Sequence, residues 1–219
     1  MPTITAITPT PRHAGRFELL VDGKSFATLS LDAIERLRLM VGGSVEGLEE
    51  RISHEAAALR TYDRALNMLA FRGRASRELA RSLVRKGEPK ELVDRAIERL
   101  TEQGLLDDAA FAESFTRAKV IGAQQSRRRV QQDLARKGVA REVTDAAIAT
   151  VFDEEQVDQR EIVEQAARKK LASLRKLDPV VRRRRLYAFL ARRGYDSDDI
   201  RAAMDAVGEE MRVGDDTEE

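Results

Sequence analysis

The stretch SRRRVQQDLARKG, Ser126 to Gly138, recurs in outline three times along the chain, with copies ending at Gly87, Gly138 and Gly194. Counting back from each glycine, the eighth residue is Leu79, Val130 or Leu186, and the fourth is Leu83, Leu134 or Leu190. The residue just before the glycine is Lys86, Lys137 or Arg193. Apolar residues four apart, then a cation, then glycine, describe an amphipathic helix with its C-terminal stop. Arginine also recurs at the second position back (Arg85, Arg136, Arg192) and at the tenth (Arg77, Arg128, Arg184), so each helix has a basic face.

Helical patterns flank each copy. Ten positions after each glycine stands Ile97, Ile148 or Met204, and thirteen after stands Leu100, Val151 or Val207. The glycine-to-glycine distances of 51 and 56 residues fit three-helix units rather than two-helix repeats. The spacing predicts helices over 62–71, 76–86 and 89–103, then 108–120, 126–137 and 141–152, then 156–174, 179–193 and 197–211. Such units bury their faces against neighbours, and the expectation is a mainly α chain whose three tandem three-helix repeats form an elongated, curved array.

Before the repeats the period is two. Phe17, Leu19 and Val21 alternate up to Asp22-Gly23, and Phe26 and Thr28 continue beyond it. Asp-Gly between alternating runs is a strong hairpin signal, because both central residues of a type I′ turn need positive φ. Ser30 is placed to cap a helix bearing Leu31, Ile34, Leu37 and Leu39 that stops at Gly42 and Gly43. Pro2, Pro9 and Pro11 among threonines read as a flexible lead-in. The expected division is a lead-in (1–15), a small N-terminal β-hairpin plus helix module (16–60), repeats over 61–106, 107–154 and 155–208, and an acidic tail (209–219).

Across 219 residues, charged side chains make up 35% and aromatics 5%, with no cysteine and no tryptophan. Small modules packed on Leu, Val, Ile and Ala fit this better than one aromatic core. Without cysteine there are no disulfides, thiolate nucleophiles or thiolate metal sites, which suits a reducing compartment. With no apolar run long enough to span a membrane, a soluble cytoplasmic protein is expected. The net charge of +1 hides segregation: residues 168–193 carry eleven Lys or Arg and one acid, and residues 196–219 carry ten acids and two arginines. A tail of this kind, expected to be disordered at its end, also fits an internal mask for the basic third repeat.

Catalytic patterns are missing. There is no phosphate-cradling glycine loop, no HExxH and no serine elbow, and the only histidines are His13 and His54. Asp107 and Asp108 are paired acids, but their place before Phe111 and Phe115 favours helix capping over magnesium binding or acid–base work. No catalytic, cofactor or metal site is expected. Arginines on the solvent side of one helix need no partner. Their recurrence at the same repeat positions, however, suggests a basic strip that matches a polyanion. Phe71, Phe111, Phe115 and Phe189 sit at core-like spacing, which leaves no visible platform for stacking bases.

The run GLLDDAAFAESF, Gly104 to Phe115, lies between SRELARSLVRKG and SRRRVQQDLARKG. With Gly104, Asp107, Asp108, Phe111 and Ala112 at their offsets, this arrangement resembles the RecX family over roughly residues 62–207. Arg117 and Lys119 stand where the family has an arginine pair, and residues 121–125 replace its glycine-rich link. The resemblance implies a non-enzymatic, monomeric regulator that binds the RecA filament on DNA and suppresses its ATPase, strand exchange and extension, with a weak DNA contact allowed. The candidate contact residues are Arg77, Arg81, Arg85, Arg127, Arg128, Arg129, Arg136, Lys137, Arg182, Arg183, Arg184 and Arg185. The competing reading is a stand-alone helical DNA-binding protein, since short basic helices after tight turns also suit groove docking.

Overall fold

The computed structural model describes residues 1–11 and 14–215, with the side chains of 209–215 excepted. Two compact units emerge, Met1–Arg74 with Glu78–Leu106, and Ala75–Arg77 with Asp107–Glu219. None of the described helices is long and apolar enough to cross a membrane.

The first unit opens with an antiparallel sheet of three strands, β1 (Ile4–Pro9), β2 (Arg16–Val21) and β3 (Lys24–Ser30), in the order β1-β2-β3. The hairpin is as expected: Val21 pairs with Lys24, and Asp22 and Gly23 take φ of 48° and 75°. The flexible lead-in is corrected. Ile4 is 1% exposed, and its N–H and carbonyl bond to Gly43 and Gly42 at 2.8 Å each. Pro9 does not prevent a strand here, because β1 lies at an edge of the sheet, where a missing N–H costs no ladder bond. His13 lies outside the described residues.

Ser30 caps α1 as expected, accepting from the Ala33 N–H, but α1 is short, Leu31–Arg36. It stops well before Gly42 because Arg38 adopts φ of 52°, which lets Leu37 and Leu39 both turn into the core. The next helix, α2 (Glu49–Phe71), runs without a break for 23 residues. Its Ile52 and Ala56 pack with Ile4, Leu19 and Leu29, and its Tyr62 and Ala65 pack with Leu79, Leu83 and Leu100. The boundary expected between residues 60 and 61 therefore falls inside one helix that fills two cores. Arg16 of β2 braces this helix through Asp63, with its Nη2 2.5 Å from Oδ1.

Helices α3 (Ser76–Arg85) and α4 (Lys90–Glu102) follow α2. In the second unit lie α5 (Asp108–Arg117), α6 (Arg127–Lys137), α7 (Arg141–Glu154), α8 (Gln159–Ala172), α9 (Pro179–Arg192) and α10 (Ser197–Asp215). One π-helical turn, Ala118–Gly122, links α5 toward α6. The six anchors Leu79, Leu83, Val130, Leu134, Leu186 and Leu190 are all buried. Gly87, Gly138 and Gly194 all adopt φ near +90°. The backbone of α10 continues into the acidic tail as far as Asp215, and the expectations for residues 216–219 lie outside the described residues.

Ile4→Ala is expected to cost about 2–4 kcal/mol, as for a buried large-to-small change. Urea unfolding followed by circular dichroism measures it. An unchanged midpoint would return the N-terminal segment to a loose lead-in.

Candidate interaction surface

The basic helices hold their cations in two different ways. The tenth-position arginines Arg77, Arg128 and Arg184 are exposed, as are Arg81, Arg85, Arg136, Arg183 and Arg185, while Arg182 is partly covered. Among the described residues, no carboxylate lies within ion-pair distance of Arg128, Arg183, Arg184 or Arg185. Arg183 and Arg184 are brought together with Val180, Tyr187, Arg201 and Met204 around an open cleft of about 450 Å³. Val180 is 77% exposed and Tyr187 42%. Residues 180, 183, 184 and 187 share one face of α9 by helical spacing.

Several of the expected cations, exposed or not, also make contacts within the fold. Lys137 projects over Phe111 and Phe115, 5.7 and 5.4 Å from their centroids, and Arg127 lies 5.8 Å from the Phe152 ring. Arg193, the third-repeat counterpart of Lys137, sits 4.2 Å from the Phe189 ring. Such cation–π contacts hold each cation against the aromatic packing of its repeat. Arg129 is half buried, 3.3 Å from Asp133, and Arg136 ion-pairs with the same carboxylate. Arg85 donates to the Ser82 hydroxyl at 3.3 Å.

The paired acids are both engaged in the backbone of the second unit. Asp107 caps α5, accepting from the N–H groups of Ala109 and Ala110 at 2.8 and 3.0 Å. Asp108 reaches the start of α3 and accepts from the Ser76 N–H at 2.7 Å and its hydroxyl at 3.1 Å. Arg117 bridges α5 to Glu154 and Glu155 at the end of α7, and the hydrogen bond to Glu155 raises its pKa. Lys119 lies 5.3 Å from the Phe115 ring.

The second and third repeats meet at a tight joint. The Ser126 N–H donates to the Arg193 carbonyl at 3.0 Å, and the Tyr195 hydroxyl donates to the Gln124 carbonyl at 3.0 Å. Burial pushes the Tyr195 phenol pKa up, against the opposing pull of the Arg193 charge, so the hydroxyl remains a donor. A Cβ on Gly194 would stand 2.6 Å from Cβ of Arg129 and 2.7 Å from Oγ of Ser126. On Gly87 it would meet nothing within 4 Å.

One feature escaped the sequence reading. Phe71, expected in the core, is 85% exposed at the end of α2. The signal was present: Arg64 and Asn67, seven and four residues earlier, mark that face of the helix as polar.

Successive three-helix units, each closed on its own buried aliphatic pair and presenting arginines outward, define a tandem helical-repeat protein. Family models match three stretches: RecX, first three-helix domain, at residues 62–100; the second at 107–148; and the third at 158–204. Curated relatives named regulatory protein RecX include one from Chlorobium limicola, 35% identical over 68% of this chain and 87% of its own. Another, from Mycolicibacterium smegmatis, is 37% identical over 67% of this chain and 77% of its own. The match to the relative from Halalkalibacterium halodurans is 32% identical over 73% of this chain and spans 62% of that protein's length. The chain belongs to the RecX family. Its fold is similar to a crystal structure of regulatory protein RecX, with a TM-score of 0.71 at 22% identity, covering 95% of this chain and 100% of the other. RecX from Lactobacillus salivarius gives a TM-score of 0.54 at 19% identity over 69% and 97% of the two chains.

Gly87→Ala is expected to cost about 1–2 kcal/mol through its positive φ alone. Gly194→Ala adds an overpacking cost of about 1–3 kcal/mol. Thermal unfolding of the two variants side by side checks the order, and equal losses would show that the joint yields freely.

Proposed function

We propose that the chain regulates homologous recombination and DNA repair by binding the RecA filament on DNA and restraining its ATP hydrolysis, strand exchange and extension. Membership of a family whose curated relatives are named regulatory protein RecX carries this reading. The exposed arginines give it a physical basis. A filament of acidic protein surface and nucleic acid is a polyanion, and cations at a surface steer association while remaining hydrated until contact.

The contact set is narrower than the full list of repeated cations. Arg77, Arg81, Arg85, Arg128, Arg136 and Arg182 to Arg185 are its members, with the cleft at Arg183 and Arg184 the most concentrated part. The partly covered Arg129 and Lys137 contact Asp133 and the Phe111–Phe115 pair, and Arg127, though exposed, lies over Phe152, so the three also serve the fold. Binding of this kind needs no bound cofactor. It acts in the cytoplasm through a monomer, with only a weak contact to DNA outside the filament.

The DNA-dependent ATPase of RecA on single-stranded DNA tests the reading. Added wild-type chain is expected to slow hydrolysis. The double variant Arg128→Glu, Arg184→Glu alters two exposed cations that brace no carboxylate. It should raise the half-inhibitory concentration about five- to thirtyfold, at roughly 0.5–1 kcal/mol for each surface charge. A wild-type chain without effect on hydrolysis contradicts the function; a fully potent double variant contradicts the surface.

A further inference from the structure

A second surface lies in the first unit and is independent of the arginines of α6 and α9. At the end of α2, a recess of about 570 Å³ is lined by Arg64, Asn67, Met68, Phe71, Arg74 and Lys86. The first four share one helical face at spacings of three, four and seven. The Phe71 ring stands almost wholly in water. Around it are a thioether, a carboxamide and three cations, with no acid in the lining. The surrounding segment, residues 60–86, carries eight Lys or Arg and two acids.

The cations are positioned from behind. Arg64 ion-pairs with Glu88, whose other oxygen accepts the Thr61 hydroxyl at 2.5 Å. Arg74 donates to the Met68 carbonyl at 3.4 Å and lies 3.6 Å from Glu78. No carboxylate of the described residues lies within ion-pair distance of Lys86. A guanidinium has five N–H donors, so one held by a single carboxylate keeps others for a further anion.

We propose that this recess is a single-stranded nucleic-acid subsite in which one base stacks on Phe71. A nucleotide presents a planar apolar face, a hydrogen-bonding edge and a phosphate. The recess offers an open ring, the Asn67 carboxamide and the group Arg64, Arg74 and Lys86. An amphipathic protein helix needs a continuous apolar stripe several residues long, and Met68 and Phe71 do not supply one. Stacking on a single aromatic is tolerant of base identity, so the subsite reads strandedness rather than sequence.

Fluorescence anisotropy tests this with the full chain and a labelled oligothymidylate of about 15 nucleotides, within the span one binding module covers. Phe71→Ala is expected to weaken binding about tenfold, while Phe71→Tyr stays within about twofold, because the stacking face is kept. The wild type should hold an abasic strand of equal length as weakly as Phe71→Ala holds the thymidylate. Lys86→Gln should reduce the salt slope by about one phosphate contact. Matched thermal melts of the variants exclude unfolding. Unchanged affinity of Phe71→Ala overturns the proposal, as does equal affinity of the wild type for the abasic strand. Displacement of the strand by polyglutamate as effective as by unlabelled oligonucleotide overturns it too, and marks the recess as a site for acidic protein. No arm contains RecA, so failure here leaves the filament reading untouched, and failure of the ATPase test leaves this one untouched.

Discussion

Each basic helix is held by two buried aliphatic side chains four residues apart and ended by a glycine in the left-handed region. Full burial of each such side chain is worth about 1.5–3 kcal/mol, enough to fix the helix with one narrow stripe. That economy leaves most of the helix surface free for charge. The glycine then reverses the chain, which any Cβ would resist at φ near +90°. Repeating this device three times gives a mainly helical chain in which packing and charge are decided on opposite faces.

The repeats are not equivalent behind that common pattern. In the first, the opening helix is the end of α2, whose other half closes the core under the sheet. In the second and third, a cation at the end of the basic helix is drawn over phenylalanine rings. Lys86, the first-repeat counterpart, lines the recess beside Phe71 instead. The same repeat position thus packs on aromatics in the second and third copies and borders an open surface in the first. Gly194 differs from Gly87 in the same sense, since only Gly194 has a neighbouring helix within Cβ reach.

Local chemistry was legible wherever a residue type admits few conformations. Asp22-Gly23, the Ser30 cap, the Asp107 cap and the three terminal glycines could be read directly, because each satisfies a backbone need close in sequence. The strand β1 was obscured by prolines that an edge strand tolerates. The early end of α1 rests on Arg38 taking a positive φ to bury Leu37 and Leu39, a tertiary demand with no local marker. The unbroken α2 was hidden because two hydrophobic cores look like two modules when read along the chain. Among the candidate cations, recurrence identified the basic faces but did not separate exposed Arg128 and Arg184 from Lys137 over its rings. That distinction depends on aromatic residues of other helices.

Under the proposed function, these exposed arginines serve a nucleoprotein filament rather than naked DNA. Binding of the labelled chain to RecA-coated single-stranded DNA and to the same DNA alone, measured across a salt series, tests this most directly. Clearly tighter binding to the coated strand is expected throughout, with naked-strand affinity weak and falling steeply with salt. Equal or tighter binding to the naked strand would contradict it.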